Sequence, residues 1–203
     1  MIERIPEYGW SILVTALKGV DVEQPDRWLS WLRQVAKPVE AQAFDAQRVA
    51  GRRHLYFATL FALKAFSEAS NVSESIAMEA LIQSSAQRQV LRAIERLGVK
   101  PGMSDVAILL VSKDEEELGA AFTRLKAASG ELIDEDLLEI SPAKFNGLRS
   151  LFGISERELA AERDAQDPAS ALVNLVVERM TLEASRRRTP RRVRDEERSS
   201  ARS

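Results

Sequence analysis

A continuous apolar run, Ile12-Leu13-Val14-Thr15-Ala16-Leu17, follows Gly9-Trp10 and reads as a buried strand. Gly19 and Asp21 break it, and Pro25-Asp26 open a helix to about Ala36 with Trp28, Leu32 and Val35 on one stripe. Pro38 ends that helix. Val39, Ala41 and Ala43 then alternate with Glu40 and Gln42 ahead of Phe44, the pattern of a second strand. From Gly51 to about Ser67 the chain is apolar on nearly every face, which predicts a central helix covered on several sides. Asn71-Val72-Ser73-Glu74 reads as a capping box for a helix bearing Ile76, Ala77, Ala80 and Leu81. Ser84-Ser85 interrupt or re-cap it, and a further helix runs to Leu97 with Gly98 placed as its C′ residue.

Val106–Val111 predicts a third strand, and Asp114-x-x-Glu117 a second capping box for a helix carrying Leu118, Ala121, Phe122 and Leu125. Ser141-Pro142 begins a short helix closed by Gly153, Ser155-x-x-Glu158 begins another, and Asp167-Pro168 a longer one through Leu172, Val176 and Met180. Apolar periodicity stops after Ala184. The pattern predicts an α/β (α+β) domain over residues 1–184, with a small mixed sheet, packed helices and a helical C-terminal third. A disordered Arg-rich tail is expected over residues 185–203.

Composition adds three constraints. The chain has 203 residues and 45% hydrophobic content, enough for one core. It has no cysteine, which excludes disulfides and thiolate metal sites. The start lacks a basic and apolar leader, and no run approaches the ~20 apolar residues of a membrane span, so no membrane and a cytoplasmic location are expected. The charge is unevenly distributed: from Ser185 onward eight arginines face three acids, a net of +5, which leaves −7 on the other 184 residues of a chain totalling −2. That asymmetry suits an anionic partner for the tail, or a solubilising end.

No catalytic set is visible, so neither catalytic residues, a metal nor a cofactor is expected. His54 is the only histidine and opens the apolar helix, where capping or packing is its expected role. No Gly-rich phosphate loop is present. Asp114-Glu115-Glu116-Glu117 reads as a helix start complementing its own dipole, and Asp134, Glu135 and Asp136 as solvated turn carboxylates. The informative segment starts at Ser84. On a continuous helix Ala86, Val90, Ala93 and Leu97 would form the core face, and Arg88, Arg92 and Arg96 a second stripe. Guanidiniums in register can grip consecutive phosphates, with Gln89 beside them to pair or stack on bases. Gly51-Arg52-Arg53 at another helix start places cations where the dipole disfavours them, a pointer to an anionic ligand.

The ordered series Phe44-Asp45-Ala46-x-x-Val49-Ala50-Gly51-x-x-His54-Leu55, Asn71-x-Ser73-x-Ser75 with Glu79, Ser85-x-x-Arg88-Gln89, Ala93-Ile94 and Leu97-Gly98-Val99 resembles the PRPK-binding protein family (TPRKB-like). Leu151-Phe152-Gly153-Ile154-Ser155 and Val177-Glu178-Arg179-Met180 resemble its archaeal members, and the likeness covers roughly residues 8–184. The resemblance implies a non-catalytic subunit of KEOPS, the complex that makes threonylcarbamoyladenosine in tRNA. Such a subunit docks on a kinase-like (PRPK-type) ATPase and holds the single-stranded tRNA 3′ CCA end, while another subunit transfers the threonylcarbamoyl group. The family often has Gly after the first Ser of Ser-x-x-Arg-Gln, where this chain has Ala86.

Both lines of reasoning point to one surface for RNA: Arg88 and Arg92 for phosphates, Ser85, Gln87 and Gln89 for polar contacts, and Arg53 nearby. Trp28, Trp31 and the C-terminal helix are candidates for the kinase contact, or for burial within the chain. Two other readings stand beside this one. In the first, the chain is a protein-only module whose arginines merely solubilise a helix. In the second it is an enzyme using carboxylates, against which the absence of a paired nucleophile and base argues.

Overall fold

The computed structural model describes residues 1–162 and 167–187. Four strands form one sheet: β1 (Ile2–Ile5), β2 (Trp10–Leu17), β3 (Glu40–Asp45) and β4 (Val106–Ser112), in the order β1-β2-β4-β3. The α/β class is as expected, but every pairing is antiparallel, so the sheet is not mixed in strand direction. The reason is β4: it inserts between β2 and β3 and opposes both, with Ile108 facing Thr15 on one side and Ala43 on the other. Edge strand β1, Ile-Glu-Arg-Ile, is an addition to the expected set. Its four residues are too few to show a period, and the turn at Gly9 folds it back on β2.

Among the described residues, eight helices cover both faces: α1 (Pro25–Ala36), α2 (Gly51–Ser67), α3 (Ile76–Ser84), α4 (Val90–Leu97), α5 (Glu115–Ser129), α6 (Pro142–Phe152), α7 (Glu156–Ala161) and α8 (Pro168–Arg187). Two-sided cover explains why β2 and β4 read as unbroken apolar runs. Ile12, Val14, Ala16, Leu109 and Phe44 pack towards α2, α3 and α8, while Leu13, Leu17, Ile108 and Leu110 pack towards α1 and α5. Trp28 and Trp31 both stay half-buried against the second layer, ring centroids 5.6 Å apart. The apolar faces of α8 (Leu172, Val173, Leu175, Val176) are buried inside the chain. Among the described residues, none of the helices is long and apolar enough to cross a membrane. The helix α8 continues to Arg187, past the expected limit at Ala184, and the remaining tail lies outside the described residues.

Caps fall where side-chain acceptors fit, with two corrections. Ser141 accepts from the Lys144 amide, Gly153 closes α6 at φ 62°, and Ser155 with Glu158 forms a reciprocal capping box. Asp114 accepts from the Glu116 and Glu117 amides as expected, but its own N–H goes to the Ser112 hydroxyl rather than to Glu117. Ahead of α3 the cap is Ser75, not Asn71. Asn71 instead donates to the Ser73 carbonyl, and buried Glu79 accepts from the Val72 and Ser73 amides at 2.9 and 3.0 Å. A carboxylate reaching back from inside the helix thus replaces the local box.

Candidate nucleic-acid interface

The Arg88, Arg92, Arg96 stripe requires one helix through residues 84–97, and the chain breaks it. The Ser85 N–H returns to Leu81 as α3 ends, and Ala86 adopts φ 50°, a left-handed conformation that cannot continue a right-handed helix. Because α4 begins only at Val90, Arg88 lies in the connecting loop. Of the three, Arg92 alone stays exposed on the helix, while Arg96 turns inward. The Cβ at residue 86 is a cost that a glycine would avoid. Ala86→Gly is expected to stabilise the fold by about 1 kcal/mol, read as a higher urea midpoint with unchanged slope.

The other predicted contacts separate. Ser85 is buried and donates its hydroxyl to the Ile82 carbonyl at 2.8 Å. Gln87 is half-buried, and Gln89 is exposed at the start of α4 without a side-chain cap bond. Arg53 donates to Asn174 Oδ1 at 2.6 Å and lies over Phe57, beside a different cleft that also takes in Arg52 and Ser170. Arg52 bonds the Val14 carbonyl and Glu135, so strand and turn acceptors offset the unfavourable dipole at this helix start.

What the fold assembles instead is a cleft of about 380 Å³ lined by Ala86, Arg96, Phe152, Arg179, Glu183 and Arg186. Arg88 joins its rim by pairing with Glu183, which also takes Arg186 at 3.4 Å. Arg179 is held by Glu158. At the back, the Arg96 guanidinium lies 4.9 Å above the Phe152 ring and donates to the Leu151 carbonyl. Burial, and secondarily the Arg48 charge, lower the Arg96 pKa from its ordinary value. Arg96 and Phe152 both line the cleft, and a guanidinium seated on a ring can serve as a platform on which an unstacked base stacks. Arginines along the mouth supply charge-assisted donors for phosphates.

Phe152, Arg179, Glu183 and Arg186 are the residues that reading the sequence missed. Positions 179, 183 and 186 recur at i, i+4 and i+7, a stripe hidden by attention to the apolar face of α8. His54 supports the same region from below. Its Nδ1 accepts the Ala50 N–H at 3.0 Å, so Nε2 carries the proton and donates to the Ser84 carbonyl at 2.9 Å. Its ring also meets the edge of Phe152 at 5.7 Å. The sole histidine therefore ties the start of α2 to the end of α3, which is the capping and packing role expected for it.

Comparison with known proteins places this arrangement in context. Residues 20–184 match the family model described as kinase binding protein CGI-121. The regulatory protein Cgi121 of Methanocaldococcus jannaschii is 31% identical over 113 residues, covering 56% of this chain and 70% of that protein. The family match runs from before α1 into α8, and on that basis the chain belongs to the CGI-121 kinase binding protein family.

Proposed function

We propose that this chain is a non-catalytic KEOPS subunit that binds the kinase-like ATPase subunit and holds tRNA by its 3′ CCA end for threonylcarbamoyladenosine modification. Family membership supports the kinase contact. The observation that carries the RNA half is the cleft, where a ring-backed Arg96 stands behind Arg88, Arg179 and Arg186. Three unpaired nucleotides offer both the stacking faces and the phosphates that such a cleft accepts.

The test is binding of intact tRNA against tRNA lacking its terminal CCA, at two salt concentrations. Stacking worth about 1–3 kcal/mol per base predicts at least a tenfold loss on removing the three nucleotides, and a comparable loss for Arg96→Ala with intact tRNA. Equal binding of both RNAs, weakening steeply with salt, points to the basic tail acting without specificity and sinks the CCA assignment. A second reading, a protein-only regulator of the kinase-like subunit, is favoured by Leu91 and Ile94, 75% and 36% exposed on α4. Kinase binding without any RNA binding is its signature.

A further inference from the structure

A second cleft, of about 430 Å³, opens between the 3₁₀ turn Ala46–Arg48 and α6, and its lining is Gln47, Arg48, Lys144, Ser150, Leu151 and the open positions at Ala143 and Gly147. Each of its polar side chains can donate a hydrogen bond, and none is a carboxylate. Lys144 is the unusual member: only 4% exposed, it gives one bond among the described residues, 2.7 Å to the Leu137 carbonyl, from an ammonium that carries three N–H groups. Arg48 commits Nε to Asp45 at 3.0 Å and Nη1 to the Arg96 carbonyl at 2.8 Å, and its Nη2 has no bond among the described residues. The Gln47 side chain and the Ser150 hydroxyl make no hydrogen bond among the described residues. Asp45 and Glu139 bear on Lys144 electrostatically but do not line the cleft.

A buried ammonium with spare donors, in a cleft that three further donor side chains also line, suits a phosphoryl group better than a neutral or cationic ligand. Lys144 also titrates low, at about 8, because burial strips its solvent and the two carboxylates only partly compensate. A bound anion would supply the missing counter-charge. The cleft is joined to the arginine cleft through one wall, since Arg96 takes Arg48 on its carbonyl, bonds the Leu151 carbonyl and lies on Phe152. We propose that Lys144, Arg48, Gln47 and Ser150 form a phosphoryl-binding subsite. Its occupant is a phosphate of the RNA strand leaving the arginine cleft or the phosphate of a free small molecule. The RNA source rests on the function proposed above; the subsite itself does not.

The experiment uses the full chain, Lys144→Met and Gly147→Glu. Methionine keeps the buried stem and removes the charge. Gly147 is exposed in mid-helix, and an added Cβ there meets nothing within 4 Å, so glutamate sets a carboxylate at the mouth without disturbing the core. Inorganic pyrophosphate is titrated calorimetrically into each protein, and tRNA with and without CCA is bound across a salt series. Saturable pyrophosphate binding, weakened about tenfold or more in both variants, supports the subsite. If the tRNA salt slope also falls by about 0.7, the strand supplies the phosphate; an unchanged slope assigns it to a free ligand. Should pyrophosphate fail to bind, a slope change in both variants still supports the RNA source. No pyrophosphate binding together with unchanged tRNA affinity and slope overturns the proposal. The CCA comparison in the unmodified chain reports separately on the proposed function.

Discussion

As pH falls from 6.5 to 4, the unmodified chain is expected to lose about 3 kcal/mol of stability that His54→Gln does not lose. Full burial holds the His54 pKa down to about 4, an effect only partly opposed by its bond to the Ser84 carbonyl. Because the folded pKa lies below the ordinary 6.5, the unfolded chain takes up a proton in this window that the folded one refuses. The contribution is therefore complete above 6.5 and drains away towards 4. Protonation is costly in structural terms as well, since Nδ1 would have to stop accepting the Ala50 N–H. Urea unfolding at half-unit pH steps for both proteins isolates the imidazole from the carboxylates that also titrate there. Parallel curves would refute its assignment.

Phe152→Ala is expected to cost about 4 kcal/mol, roughly 10 °C in Tm for a chain of this size, and to weaken tRNA binding as well. The ring is 5% exposed and touches both His54 and the Arg96 guanidinium, so truncation opens a cavity and unseats the cleft's platform together. Phe152→Leu restores most of the volume but no flat face. It should recover most of the Tm while leaving tRNA affinity reduced; recovery of both would show the ring to be filler. Calorimetry and RNA titration on the same samples give the two readings.

The fold was legible wherever a local pattern dictates structure. Pro25, Ser141-Pro142 with Gly153, and Ser155 with Glu158 mark helix ends by chemistry within a few residues, and unbroken apolar runs mark strands buried on both faces. What could not be read locally was supplied from a distance. The α3 cap depends on Glu79 and on Glu40, whose carboxylate bonds the Ser75 hydroxyl and the Ala77 amide from another strand. At the candidate site, Arg88 was among the residues named from the sequence and lies at the cleft's rim, but the even spacing of three arginines suggested a helix that the backbone at Ala86 does not permit. The far wall comes from α8, roughly ninety residues on, where arginines stand on the reverse of an apolar helix.

Glu183 gives the arginine cleft an acid of its own. It is largely covered, lines the cleft and holds Arg88 and Arg186 at once. The cleft thus carries an internal counter-ion, and on the proposed reading its occupancy would be an exchange in which an incoming phosphate displaces a tethered carboxylate. Such a site releases fewer ions to solution than its arginines would suggest, which flattens its response to salt. Under that reading it would also select by valence, because a lone chloride competes poorly with a carboxylate held in place by the fold, whereas linked phosphates arriving together compete well. On the proposed function, the acid that lowers the cleft's charge would thereby reserve it for a polyanion.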